Sequence, residues 1–126
     1  MLELGCGLGL PALTAALRGA EVLATDWADD AIELLRRNAE RNGVFLRVAR
    51  VRWSEPESLL RPAPWDVVLG ADLLYEARNA EQLAELLPSL GGEVLLAEPG
   101  RPYAKEFLER FRAELVGERI YRLPVR

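Results

Sequence analysis

Histidine is absent from the sequence, and cysteine occurs once, at Cys6. A single cysteine cannot form a disulfide within the chain, and zinc clusters are built from several cysteine and histidine ligands. Serine or cysteine triads of the common type need a histidine as general base. We therefore expect no metal site and no histidine-based nucleophilic catalysis.

An excess of basic charge and long apolar runs are also absent. The 126 residues carry 16 basic and 20 acidic side chains, so the net charge of −4 gives no long-range attraction for nucleic acid or anionic membranes. No run reaches the ~18 apolar residues of a membrane span, and no signal-peptide pattern opens the chain. The sequence predicts one domain over residues 1–126, located in the cytoplasm, with neither nucleic acid nor membrane as a partner.

Three glycines at alternate positions, Gly5, Gly7 and Gly9, follow the first apolar run. Such a strand, loop and helix can cradle the polar parts of a nucleotide, because glycine lets a ligand approach the backbone closely. A second apolar run ends at Asp26, about 20 residues further on, the spacing of an acid that binds a ribose. A dinucleotide motif would place its third glycine where Leu10 stands, so the match to a nicotinamide dinucleotide site is partial.

Strand and helix patterns alternate along the rest of the chain. We predict helices over residues 11–18, 31–41, 79–87 and 103–115, a helical turn over 57–60, and strands over 21–26, 45–51, 65–72, 93–97 and 117–125. The near-continuous apolar run 65–72 is typical of a buried central strand, whereas 45–51 alternates as an edge strand does. These elements predict an α/β fold: a doubly wound, Rossmann-like, mostly parallel sheet in a three-layer α/β/α sandwich.

The polar positions of this pattern follow the carboxyl ends of predicted strands and should converge on one crevice. They are the glycine loop, Asp26, the pair Arg52-Trp53 and the pair Ala71-Asp72. Trp53 is a candidate for stacking on an adenine, since an aromatic ring covers a base face well. The alternative is a surface aromatic at the sheet edge.

Residues 3–9 resemble the E/D-x-G-x-G-x-G motif of class I S-adenosylmethionine-dependent methyltransferases, in which an acid at the position of Asp26 binds the ribose. Residues 65–76 resemble the D-x-V-L-G-(A/S)-D-x-x-Y-E segment of the family that includes protein-lysine methyltransferases and nicotinamide N-methyltransferase-like proteins. The resemblance implies S-adenosylmethionine as cofactor, S-adenosylhomocysteine as product, and a protein lysine or a small amine as acceptor.

The same resemblance implies roles for individual residues. The implied cofactor-binding residues are Glu3, Gly5, Cys6, Gly7, Gly9, Asp26, Trp27, Trp53 and Ala71. The implied catalytic residues are Asp72, which would orient the amine, and Tyr75, which would form an aromatic wall or accept a hydrogen bond. Asp72 has an alternative role as a helix N-cap, and Tyr75 as a core or interface aromatic.

Three departures from the family pattern remain. Arg52 precedes Trp53 where many relatives have an aspartate that accepts from the adenine amino group, and an arginine cannot accept a hydrogen bond. The chain begins inside the first strand, and the single strand predicted over residues 117–125 leaves no partner for the antiparallel pair that ends related sheets. The domain is therefore expected to be truncated at both ends, and homodimerisation through an open sheet edge would follow. Two other functions stay open: a non-catalytic S-adenosylmethionine-binding module, and a nicotinamide-dependent oxidoreductase domain.

Overall fold

Strands and helices alternate in the computed structural model, which describes residues 1–125. Over these residues the strands are β1 (Leu2–Leu4), β2 (Leu23–Asp26), β3 (Arg47–Arg50), β4 (Val67–Ala71), β5 (Glu93–Ala97), β6 (Glu114–Gly117) and β7 (Ile120–Leu123). The helices are α1 (Leu10–Leu17), α2 (Asp29–Arg41), α3 (Glu57–Leu60), α4 (Ala77–Leu90) and α5 (Ala104–Arg110).

Local sequence accounts for several of these boundaries. Pro11 lies in the first turn of α1, where a missing N–H costs little. Asp29 and Asp30 lie in the first turn of α2 and Arg41 in its last, so their charges complement the helix dipole. The predicted helical turn over residues 57–60 is present as α3.

The strands form one sheet in the order β3-β2-β1-β4-β5-β7-β6. β1 to β5 pair in parallel, while β7 runs antiparallel to both β5 and β6. β4 lies inside the sheet, as its continuous apolar run predicts. β3 lies at an edge of the sheet, as its alternating pattern predicts. The doubly wound, Rossmann-like fold class is confirmed, and its strand order reverses between β1 and β4, where such sheets bind ligands.

Apolar side chains bury both faces of the sheet. Leu2 and Leu4 of β1 belong to a core cluster with the inner faces of α4 and α5. Ala24 of β2 belongs to a second cluster with α1 and α2, which includes Leu35. Glu3 alternates with Leu2 and Leu4 and so faces α1, which gives the three layers of the sandwich.

The end of the chain differs from the prediction. The helix predicted over residues 103–115 ends at Arg110, and Leu115, predicted to face inward, lies in β6 with 62% of its surface exposed. Arg112 takes a left-handed conformation (φ 50°) and breaks the helical path. Phe107, Phe111 and Leu115 follow one another at intervals of four residues, as on one face of a helix. Leu115 itself is equally compatible with a strand.

The strand predicted over residues 117–125 is also wrong in its bounds. Its first part turns at Arg119 (φ 56°), so that β6 and β7 form a hairpin. The antiparallel pair of strands, expected to be incomplete, is therefore present. The outer edge of the sheet on this side is β6, and the homodimer stays a prediction.

None of the helices found in residues 1–125 combines the length and the apolar character that crossing a membrane requires.

Candidate active site

Loops after β1, β2, β3 and β4 enclose a cavity of about 410 Å³ at the carboxyl edge of the sheet. This volume lies in the range of small-molecule sites. The sequence-predicted residues on its wall are Gly5, Asp26, Trp27, Trp53, Asp72 and Tyr75. Residues from distant parts of the sequence are thus brought to one place, as the strand ends predicted.

Asp26 ties the glycine loop to the end of β2. Its Oδ2 accepts a hydrogen bond from the Gly7 N–H at 3.0 Å, and its Oδ1 accepts one from the Ala28 N–H at 3.0 Å. The Cys6 N–H donates to the Thr25 carbonyl at 2.8 Å. Because each carboxylate oxygen can accept two hydrogen bonds, Asp26 retains acceptors for the hydroxyls of a ribose diol.

Two glycines of the loop have no room for a side chain. Gly5 has φ +58°, and a Cβ there would lie 2.5 Å from the side chain of Leu73 and 3.8 Å from the ring of Trp53. Gly9 has φ +79°, and a Cβ there would overlap the side chain of Leu35. Both positions need a left-handed conformation and close packing, so the loop requires glycine irrespective of any ligand.

Glu3 lies beneath the loop and not on the cavity wall. Its side chain is 2% exposed, and its Oε2 accepts a hydrogen bond from the Ala12 N–H of α1 at 2.9 Å. Burial raises the pKa of Glu3 to about 7, while that hydrogen bond and the nearby charge of Asp26 contribute less, in opposite directions. Glu3 therefore holds α1 against β1.

Four other predicted positions lie off the wall: Cys6, Gly7, Gly9 and Ala71. Gly7 contacts the wall through its N–H, which donates to Asp26 Oδ2. Cys6 is buried, and burial raises the pKa of its thiol to about 12, so the thiol stays protonated at neutral pH. Gly9 is buried against α2, and Ala71 is the last residue of β4, outside the wall. The resemblance implies cofactor-binding roles for these and the other predicted residues, and all of those roles stay predictions. Within residues 1–125, the side chains of the types that bind metal ions (histidine, cysteine, aspartate and glutamate) form no group of three or more that could hold one.

Asp72 follows β4 and is fixed from two sides. Its own backbone is left-handed (φ 52°), and its N–H donates to the Ala97 carbonyl at 2.9 Å. Arg101 donates from Nε to Oδ1 at 2.8 Å and from Nη2 to Oδ2 at 2.7 Å. These hydrogen bonds from Arg101 keep the pKa of Asp72 below its usual value. Asp72 does not cap α4, which begins at Ala77, so the alternative role is wrong.

Arg101 and Glu98 were not identified by the sequence analysis. Glu98 is 4% exposed, and its Oε1 accepts hydrogen bonds from the N–H groups of Gly100 at 2.8 Å and Arg101 at 2.6 Å. Its Oε2 is buried and accepts no hydrogen bond within residues 1–125. The segment Pro-Gly-Arg-Pro indicates only a turn, so the sequence carries no sign of the pairing with Asp72.

The wall also includes side chains that the motifs did not single out. Glu76 and Arg78 lie near Asp72 and Tyr75 on the cavity wall, and Arg78 Nη2 lies 3.9 Å from Glu76 Oε2. Asn79 is buried and donates to the Leu73 carbonyl at 3.2 Å, which fixes the segment between β4 and α4. The cavity wall thus carries acidic, basic and aromatic side chains from the segments after β2, β3 and β4.

Fold and cavity together define a nucleoside-binding α/β domain of the type found in methyltransferases, and the comparisons with known proteins agree. Residues 1–111 match the protein family described as lysine methyltransferase. The chain belongs to this family of lysine methyltransferases.

Similar curated proteins include the protein N-lysine methyltransferase METTL21A of Danio rerio, which is 34% identical over 122 residues, covering 91% of this chain and 55% of the relative. The electron transfer flavoprotein beta subunit lysine methyltransferase of Xenopus laevis is 34% identical over 108 residues, covering 80% of this chain and 42% of the relative. The chain spans about half the length of these relatives.

A solved structure of an S-adenosylmethionine-dependent methyltransferase from Clostridium acetobutylicum has the same fold. Its TM-score is 0.63 at 17% identity, and the match covers 75% of this chain and 40% of the other. The predicted family, fold class and cofactor, S-adenosylmethionine, are confirmed. The residues fit this cofactor, since Asp26 has free acceptors for a ribose and Trp53, on the same cavity wall, offers a ring for an adenine.

Proposed function

We propose that this chain is the S-adenosylmethionine-binding core of a methyltransferase that acts on the side-chain nitrogen of a protein lysine. The observation that carries the proposal is one continuous cavity wall that includes both the ribose acid, Asp26, and the acceptor pair, Asp72 and Tyr75. A nucleoside bound near Asp26 and an amine bound near Asp72 would share this cavity, which supports a donor and an acceptor side by side. Positioning of this kind contributes much of the rate in a reaction between two bound groups.

S-adenosylmethionine supplies a methyl group on a sulfonium, which passes to the nitrogen lone pair while the electrons of the broken S–C bond stay on sulfur. The chain's own residues have two tasks. The end of the cavity near Trp53 and Asp26 binds the nucleoside, and the end near Asp72 and Tyr75 binds the acceptor. Asp72 offers carboxylate oxygens to the N–H groups of an amine, and Tyr75, 47% exposed, offers an aromatic wall to the lysine stem.

The lysine acceptor is supported by the family and by the two relatives named above, which are lysine methyltransferases. A small amine would be bound by the same chemistry and is an outcome of the test. The family match favours a methyltransferase over the nicotinamide-dependent alternative. A cytoplasmic location, where a lone thiol such as Cys6 stays reduced, belongs to the proposal.

The test begins with calorimetric titration of the chain with S-adenosylhomocysteine, S-adenosylmethionine and NADH. We expect both sulfur ligands to bind, NADH not to bind, and Asp26→Ala to weaken binding of the sulfur ligands at least tenfold, because a charged acceptor is worth about 1.5–3 kcal/mol. Asp30→Ala, an exposed acid in the first turn of α2, is the matched control and should bind normally.

Transfer is then followed with methyl-labelled S-adenosylmethionine and lysine-containing peptides, with the modified residue identified by mass spectrometry. Label on a lysine nitrogen supports the proposal. Binding of S-adenosylhomocysteine without transfer to peptide or small-amine acceptors would instead support the non-catalytic module.

A further inference from the structure

The ion pair between Arg101 and Asp72 has a role beyond holding two loops together. We propose that Arg101 is a positioning residue for the acceptor, which aims the Asp72 carboxylate and cancels its charge so that the site binds the acceptor nitrogen in its neutral, nucleophilic form. This inference rests on the proposed function. Arg101 thereby determines, through Asp72, which protonation state of the acceptor amine is bound.

The geometry of the pair fixes the plane of the carboxylate. Both oxygens of Asp72 accept from Arg101, at 2.8 and 2.7 Å, in the forked arrangement that a guanidinium makes and an ammonium cannot. Each oxygen keeps a second lone pair, and Asp72 lies on the cavity wall. The paired carboxylate can therefore still accept hydrogen bonds from the N–H groups of an amine.

Arg101 is itself held in place by the loop on which it lies. Glu98, buried at the end of β5, accepts from the N–H groups of both Gly100 and Arg101, and Arg119 Nη1 donates to the Pro99 carbonyl at 3.2 Å. Half-exposed ion pairs contribute little when both side chains are free to move. Here the backbone on both sides is fixed, by these hydrogen bonds and by the Asp72 N–H donated to Ala97.

The charges around the Arg101–Asp72 ion pair determine which protonation state of the acceptor amine the site favours. The other titratable and charged groups on the cavity wall and around the pair are Asp26, Arg52, Tyr75, Glu76, Arg78 and Glu98. Within residues 1–125 Arg101 is the basic group that forms an ion pair with Asp72, so without it the carboxylate would face the cavity with no cation in contact. A lone carboxylate stabilises an ammonium ion, which has no lone pair and cannot attack a methyl group. A carboxylate that is paired with Arg101 stabilises an ammonium ion less. The acceptor amine therefore loses its proton to solvent when it binds.

Calorimetry can count that proton. The complex with S-adenosylhomocysteine is titrated with Nα-acetyl-lysine methylamide at about pH 8, in two buffers of different ionisation enthalpy. The free amine has a pKa of ~10.4 and is almost fully charged there. We expect the wild type to release about one proton per amine bound, Arg101→Ala to release clearly fewer, and Arg101→Lys to restore most of the release.

The rate of methyl transfer gives a second readout. Because an unpaired carboxylate raises the pKa of a nearby amine by about 1 unit or more, the pH profile of kcat in Arg101→Ala should move to higher pH by that amount. At neutral pH this shift is a loss of about tenfold. Arg122→Ala, which breaks the pair of Arg122 with Glu93 away from the cavity, is the matched control and should leave both readouts unchanged.

The outcomes separate the two proposals. Equal proton release by the wild type and Arg101→Ala, or no binding of the amine to the wild-type complex, overturns the role of Arg101. Failure of the wild type to bind S-adenosylhomocysteine overturns the proposed function instead. If Arg101→Ala does not fold, as judged by loss of S-adenosylhomocysteine binding, Arg101→Gln replaces it and must show the same reduced proton release.

Discussion

At the scale of single residues, the buried carboxyl of Glu3 links the stability of the domain to pH. Its pKa is about 7 in the folded chain, against an ordinary value of 4.5. Between these values the folded state binds more protons than the unfolded state, so the free energy of unfolding falls as pH rises, and the loss is complete above about pH 7. This direction is opposite to that of a carboxylate held in an ion pair.

We therefore predict that Glu3→Gln is more stable than the wild type at about pH 8 and similar to it at about pH 4.5. The amide oxygen can still accept from the Ala12 N–H but carries no buried charge. The gain at high pH should reach up to about 3 kcal/mol, since each unit of pKa shift corresponds to about 1.4 kcal/mol. Urea unfolding at both pH values measures it. The exposed Glu21→Gln should follow the wild type, and parallel pH dependence of wild type and Glu3→Gln would contradict the prediction.

Residues of the site differ in how far the sequence could predict them. The positions of Gly5 and Asp26 on the cavity wall follow from spacing along the chain, because successive parallel strands bring their carboxyl ends together. The pairing of Arg101 with Asp72 joins residues 29 positions apart on two different loops. It depends on how those loops close, and no local pattern encodes that.

At the scale of elements, the segment after α4 shows why a helical pattern can mislead. Leu115 continues the spacing of Phe107 and Phe111, yet the chain leaves the helix after Arg110 and returns as a hairpin. β7 pairs with β6 within the hairpin and with β5 on its other side, so the hairpin joins the sheet through β5. Tertiary pairing of this kind overrides local propensity. The βαβ units before it, in which periodicity and tertiary pairing agree, were predicted well.

The end of α5 provides the prediction at this scale. Arg112 follows the helix with φ 50°, a conformation that costs a non-glycine residue energy. We expect Arg112→Gly to stabilise the domain by about 0.5–1 kcal/mol, because glycine adopts this conformation without strain. Arg110→Gly, two residues earlier in the last turn of α5, should destabilise it by about 1 kcal/mol. Urea unfolding of both variants measures the difference, and a loss of stability in Arg112→Gly would contradict the prediction.

At the scale of the whole molecule, the cavity connects the two halves of the core. Trp53 packs against the cluster that contains Leu2 and Leu4, on one face of the sheet. Asp26 and the glycine loop adjoin the other cluster, in which Cys6 and Leu35 lie on the opposite face. A ligand that contacts both Asp26 and Trp53 therefore interacts with both layers of the sandwich and stabilises the folded chain as a unit.

We accordingly predict one cooperative thermal transition that S-adenosylhomocysteine moves upward. A ligand at one hundred times its dissociation constant adds about 2.7 kcal/mol to the free energy of unfolding. For a domain of this size that corresponds to a rise in Tm of roughly 10 °C. Differential scanning calorimetry with and without ligand measures it. Asp26→Ala should lose most of the rise at the same ligand concentration, and NADH should leave Tm unchanged. Two separate transitions, of which the ligand moves only one, would show that the cavity does not couple the two core clusters.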